Sequence, residues 1–255
     1  MLRKILKLGN WMISLVVILT LSATGIYAGY ALWDNGRIYA EAENVQADMR
    51  KRKPVIEEPQ EQKASFEELL SINPDVCAWV SLDQTKIDHP VLQGETNLTY
   101  INQDVYGEFS LAGSIYLDTR NAGDLSDPYN LLYGHHMENG GMFGDLDRYE
   151  EEKFFKENST GMLILPDRAY QLEIFSCLLV RAGEPMIFDP ERWEQDLSEL
   201  FAFAEENSLC FRKETMDKLE QEEAPQILAL STCSSAFTDA RTIILAVMEP
   251  YQTAD

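Results

Sequence analysis

Hydrophobic and polar positions divide the chain into three regimes. From Leu8 to Trp33 there is no charged residue, a run longer than the roughly 20 apolar residues that cross a bilayer core. From Arg37 to Ala64 the chain is highly charged and poor in apolar residues, which predicts a helical stalk followed by a flexible linker. From Ser65 onward the pattern changes to short apolar runs: 76–82, 86–92, 113–117, 130–133, 161–165, 170–180, 226–232 and 242–248. They are rich in Val, Ile, Leu and Tyr and are punctuated by Gly, Asn, Asp and Pro, the signature of strands. Eight short strands with few long helices predict a closed or nearly closed β-barrel. Two helices are expected beside them. Ser65-Phe66-Glu67-Glu68 is a capping-box pattern opening a short helix that Asn73-Pro74 closes. Asp189-Pro190-Glu191 is a good helix start, and Trp193, Leu197, Leu200, Phe201 and Ala204 then recur at helical spacing. That apolar face is expected to pack on the barrel. The predicted class is mainly β with helical additions.

The flanks of the first run give it a direction. Arg3, Lys4 and Lys7 precede it, placing the N-terminus in the cytoplasm. Trp11 at one end and Tyr27, Tyr30 and Trp33 at the other suit the two interfaces. A cleaved signal peptide is the alternative, with Ser22-Ala23-Thr24 as a possible cleavage site, but its apolar region is usually about 7–15 residues. The expected organisation is therefore residues 1–34 as cytoplasmic tip and single-pass anchor, 35–64 as stalk and linker, and 65–255 as an extracellular folded domain. Net charge sharpens the division: eight Lys/Arg face four Asp/Glu over the first 53 residues, against 13 and 39 over the rest. The total of −22 excludes a nucleic-acid binder, which needs a basic face. The basic run Arg50-Lys51-Arg52-Lys53 is expected to be solvated, with anionic lipid or wall polymer as other possible contacts.

The candidate chemistry lies near the end of the chain. The apolar run 226–232 stops in Ser231-Thr232-Cys233, a polar turn follows, and Arg241 opens the next run. Two strands thus hold a thiol at one end of a loop and a guanidinium at the other, and a thiolate beside a positive group is a nucleophile. Of three histidines, His89 reads as a packing or surface residue, which leaves His135 and His136. Strand neighbours point to opposite faces, so these two do not readily share one metal. Zinc also wants three or four ligands, so neither a metal nor a cofactor is expected. Cys77 and Cys177 read as buried thiols, and Cys210 is open to pairing with either. Asp118 and Glu138 lie near these segments with nothing to assign either a role.

The stretch Leu228-Ala229-Leu230-Ser231-Thr232-Cys233 through Arg241 resembles the sortase signature, a Thr-Leu-x-Thr-Cys strand followed by a catalytic arginine. Ala229 stands where that family has its first threonine. Tyr133-Gly134-His135-His136-Met137 with Gly141-Met142-Phe143-Gly144 is similar to the class B sortase histidine segment, and Ile72-Asn73-Pro74-Asp75 and Ala112-Gly113-Ser114-Ile115 extend the resemblance over roughly 66–251. It implies an eight-stranded sortase barrel, with the long helix before the cysteine strand as the class B insertion. It implies Cys233 as nucleophile, His135 rather than His136 as acid and base, and Arg241 as oxyanion partner. Asn97, Ile101, Ser231 and Thr232 are the substrate-binding positions it suggests. The implied activity is cysteine transpeptidation. A sorting signal on a surface protein is cleaved after a threonine-like residue, and the thioester passes to a cell-wall precursor or a pilin lysine. A cysteine peptidase with water as acceptor, and a non-catalytic membrane-tethered binding module, are the competing readings; loss of function in Cys233→Ala separates the last from the others.

Overall fold

The structure is a computed structural model that describes residues 2–56, 59–219, 224–234 and 236–251. Glu57 and Glu58 of the expected linker, Ser235 of the Cys–Arg loop and residues 252–255 of the expected domain lie outside them. The chain divides into two compact units, Met1–Glu41 and Ala42–Asp255. The first is formed by helix α1 (Leu2–Arg50), which continues into the second. Its apolar window has mean hydropathy 1.9 with none of its residues buried. That is a candidate membrane anchor by length and composition.

In the second unit, eight strands close on themselves. In ring order they are β5 (Thr160–Ile164), β1 (Val76–Leu82), β2 (Asp88–Leu92), β3 (Ile115–Leu117), β4 (Tyr129–Tyr133), β8 (Ile227–Cys233), β9 (Ala240–Pro250) and β6 (Ala169–Arg181), which pairs back with β5. Pairs β2–β3 and β4–β8 are parallel and the others antiparallel. The eight strands coincide with the eight apolar runs. A ninth, β7 (Ser208–Phe211), attaches outside the ring to β6; its four residues were too short to register as a run.

The barrel wall is covered on its outer side, which is why β8 is buried over six consecutive residues rather than alternating. Ile227 and Ala229 pack with Ile243, Leu245, Tyr129, Leu131 and the apolar face of the segment between β6 and β7. By strand alternation Leu228, Leu230, Ile244 and Ala246 face the barrel interior. Ala229 is thus a packing position. The covering segment carries the expected apolar face in pieces: α3 (Pro185–Phe188), a 3-10 turn (Pro190–Trp193) and α4 (Ser198–Asn207). Trp193, Leu197, Leu200 and Ala204 all enter the same cluster, so the periodicity was sound, but the start at Pro190 opens only a 3-10 turn and the α-helix begins at Ser198. The Asp189 carboxylate is drawn to Arg120 instead of capping, and Asp196 accepts from the Ser198 N–H to restart the helix.

On another side α2 (Pro59–Ile72) and the end of α1 bury Phe66, Leu69 and Met49 against Trp79, Leu92 and Tyr100. Helix α2 opens six residues before the Ser65 pattern. Proline suits a first helical position, and Gln62 Nε2 ties that turn to the carbonyls of Leu165 and Arg168. Ser65 lies inside the helix, donating to the Gln62 carbonyl. The basic run is not free either: Arg50 and Lys53 pair with Asp88 at 3.3 and 2.7 Å, and Arg52 with Asp48 and Glu68. All four cysteines are free thiols; Cys177 and Cys210 are register partners across β6 and β7.

Candidate active site

Register assembles the site. Parallel strands β4 and β8 pair Tyr133 with Ser231, and the Gly134 N–H donates to the Ser231 carbonyl. Two residues further along each strand come His135 and Cys233, at one level and on one side. Antiparallel β9 places Arg241 directly opposite Cys233. Gly134 is required there, because a Cβ would run into the Phe143 ring 2.7 Å away and the Ile115 side chain. The Phe143 N–H also donates to the His135 carbonyl, closing the turn that follows.

These residues line one cleft of about 290 Å³. Cys233, His135, Arg241, Ser231, Thr232 and Ile101 all border it, joined by Tyr116, Tyr133, Gly134, Ala182 and Phe188. Cys233 is solvent-exposed, whereas Cys177 and Cys210 are buried and Cys77 nearly so. His135 Nε2 lies 2.7 Å from the Ile101 carbonyl. A carbonyl only accepts, so Nε2 carries the hydrogen in this geometry and Nδ1 is left to exchange a proton. Arg241 uses Nη1 on the Ala240 carbonyl, leaving its other donors for the cleft. The Thr232 hydroxyl is buried beside the thiol with no partner among the described residues. Tyr116 belongs to this neighbourhood: burial, with the Asp118 and Cys233 charges adding to it, pushes its hydroxyl up to about 12.

The adjacent histidines separate, as alternation requires. His136 Nε2 pairs with Asp147 at 2.7 Å, and that hydrogen bond holds the imidazole above its ordinary value against the opposing pull of burial. The Thr242 hydroxyl lies 3.0 Å from both Asp147 and Glu150. His89 is buried, its Nε2 facing the Gln46 amide at 3.0 Å. Asn97 does not line the cleft. Its amide donates to Asp118 and its oxygen accepts from the Thr119 N–H. Sequence reading missed the rings of Tyr116, Tyr133 and Phe188, whose only signal was an aromatic residue within β3, one at the end of β4 and one inside the insertion. Among the described residues no group of three or more His, Cys, Asp or Glu could hold a metal ion.

A closed mixed barrel that sets a thiol, an imidazole and a guanidinium at neighbouring strand ends has the architecture of a sortase, a cysteine transpeptidase. No family model matches the chain. A Streptococcus pyogenes class B sortase involved in pilus biogenesis is 34% identical, with 72% of this chain and 97% of that one covered and a TM-score of 0.66. Sortase B from Bacillus anthracis aligns at 26% identity and TM-score 0.70, over 84% and 99%. Staphylococcus aureus Sortase B is 29% identical over 185 residues, 72% of this chain and 74% of the relative. The chain belongs to the class B sortases.

Proposed function

We propose that this sortase cleaves a C-terminal sorting signal after a threonine-like residue and joins the released protein to an amine. The cleft shared by Cys233, His135 and Arg241 is the observation that carries the reading. The Cys233 thiolate attacks the carbonyl carbon, and the tetrahedral oxyanion is met by Arg241 donors already fixed by the β8–β9 pairing. His135 gives the Nδ1 proton to the leaving amine as the C–N bond breaks, leaving a thioester. The acceptor amine then adds to that carbonyl, His135 takes back a proton, and the C–S bond breaks to free the thiolate and form the new amide. Ile101 on one side and Ser231 and Thr232 on the other border the peptide. Asn97 acts from behind this surface.

The acceptor is a cell-wall precursor or a pilin lysine, and the pilus role of the Streptococcus pyogenes relative favours testing the lysine first. The apolar helix supports a membrane-anchored enzyme, and the basic residues that precede it support an N-terminus inside and a barrel outside. Tethering enzyme and substrates to one surface raises their effective concentration.

The test incubates the protein with peptides of the Asn-Pro-x-Thr-x type and seeks an acyl adduct by intact mass. An adduct that disappears in Cys233→Ala, and that amines release as amide rather than acid, is expected. Release only as acid makes it a peptidase. No adduct with any peptide, from folded protein with a titratable Cys233 thiol, sinks the proposal.

A further inference from the structure

Asp118 follows β3, its carboxylate fully shielded from solvent, and it does not line the cleft. It is nevertheless a hub. One oxygen accepts from the Arg120 backbone N–H at 3.0 Å and Arg120 Nε at 2.9 Å; the other accepts from Arg120 Nη2 at 2.9 Å, Asn97 Nδ2 at 3.0 Å and the Tyr133 hydroxyl at 2.8 Å. Burial pushes this carboxyl up, and the hydrogen bonds from Arg120 and Tyr133 outweigh it, leaving the group below its ordinary value. A buried carboxylate this well satisfied is rigid.

Two of its connections lead to the cleft. Tyr133 is a lining residue, and its ring stacks between Tyr116 (centroids 5.2 Å apart) and Phe188 (6.3 Å, planes 10° apart), both lining residues too. Arg120, fixed by Asp118, donates Nη2 to the Phe188 carbonyl at 2.8 Å. The three rings come from β3, β4 and the segment between β6 and β7, with no backbone pairing between the last and the first two. Asp118 and Arg120 therefore bridge a strand-borne ring pair to a ring on the insertion.

We propose that Asp118 and Arg120 are positioning residues that hold Tyr116, Tyr133 and Phe188 as one aromatic wall of the peptide cleft, with Tyr133 as the ring through which the carboxylate acts. This rests on the peptide-cleaving role proposed above. The wall lies beside the reacting groups and gains no charge or bond in the reaction, so it binds ground state and transition state alike. Its loosening appears in KM and not in kcat.

The experiment is a double-mutant cycle on the full chain in detergent, with a quenched peptide of the Asn-Pro-x-Thr-x type. Tyr133→Phe keeps the ring and removes only the hydroxyl bond to a charged acceptor; KM rises about ten-fold at unchanged kcat. Asp118→Asn cuts that bond and loosens the Arg120 branch with it, so it raises KM at least as far, and the double variant is no worse than Asp118→Asn alone. Where Asp118→Asn does not fold, Arg120→Lys stands in as a single variant, since lysine cannot fork between carboxylate and carbonyl, and it too raises KM at unchanged kcat. An unchanged KM in Tyr133→Phe, additive effects, or a fall in kcat at constant KM overturns the proposal. A wild-type protein that turns over no such peptide fails the functional reading instead. The wall is then read by near-UV circular dichroism of Asp118→Asn, where ring signals that stay identical to wild type overturn it and ring signals lost at unchanged far-UV intensity uphold it.

Discussion

His89 makes the stability of this domain depend on pH in a calculable way. The residue is 5% exposed, and Nε2 faces the Gln46 side-chain nitrogen, which also reaches the Lys86 carbonyl at 2.7 Å. Gln46 donates to both, so His89 accepts and is neutral with its hydrogen on Nδ1. Burial pulls the imidazole down to about 4; Asp88 works against this and Arg50 with it. The unfolded chain takes up a proton near pH 6.5 that the folded one refuses until about pH 4, so stability climbs with pH between those values and is fully present above them. From pH 7 down to 4.5 the loss is about 2–2.5 kcal/mol, close to 10 °C or less in Tm for a domain of this size. The comparison is His89→Gln, which does not titrate and still offers an acceptor to Gln46. Urea unfolding at pH 7.0, 6.0, 5.0 and 4.5 should show wild type falling relative to the variant over this window. Parallel profiles would refute the reasoning, since they would mean that His89 is protonated equally in both states. His136 has the opposite sign: its raised value adds stability present below pH 6.5 and lost as the pH climbs through the folded value. The two together place the maximum between the windows, near pH 6.5.

Three further outcomes follow from single contacts. Met49→Ala, at a side chain 1% exposed between α2 and β2, should cost about 2–4 kcal/mol in chemical denaturation while leaving turnover per folded molecule unchanged. Gly134→Ala forces the new Cβ against Phe143 and Ile115 and shifts the backbone that carries His135; kcat/KM should fall roughly 100-fold with Cys233 still open to alkylation. Cys177 and Cys210 face each other as antiparallel partners, where Cα atoms stand about 4.5–5.5 Å apart, inside the range a disulfide spans. Diamide treatment should give a 177–210 cross-link in non-reducing peptide maps, absent in Cys210→Ala, and Cys77 should remain free.

Most of the barrel was legible because its strands are two-sided. A wall packed inside and out calls for runs rich in apolar residues, and all eight such runs are strands. Strand β7 was not legible, since it is held by pairing to β6 and by one buried residue, Cys210, rather than by a run of its own. Helix starts were only partly legible for a related reason: Asp189-Pro190 opens a 3-10 turn, with the Asp189 carboxylate on Arg120 rather than capping, and the Ser65 pattern is pre-empted by a helix that starts at Pro59. Local capping is worth only about 1 kcal/mol, so tertiary contacts of comparable size compete with it. The basic run was likewise misread as solvated because its partner, Asp88, lies 35 residues away from Lys53.

The candidate site shows the same division between what spacing carries and what tertiary contacts add. Cys233 and Arg241 were readable as a pair because the six-residue loop 234–239 between antiparallel strands brings the strand ends opposite one another. The partition of His135 from His136 was readable because alternation sends one toward the cleft and the other to Asp147. Asn97 was read as substrate-facing, and its geometry gives a different part: both ends of its amide are spent on the segment 118–119. Replacing it by alanine removes one of the donors on a buried carboxylate, leaving Arg120 and Tyr133 to satisfy Asp118. The expected effect on peptide KM is therefore smaller than for Tyr133→Phe, and it is absent when the two are combined. A larger, independent effect of Asn97→Ala would mean that the side chain leaves Asp118 to meet substrate directly, and the hub would then be part of the binding surface rather than its support.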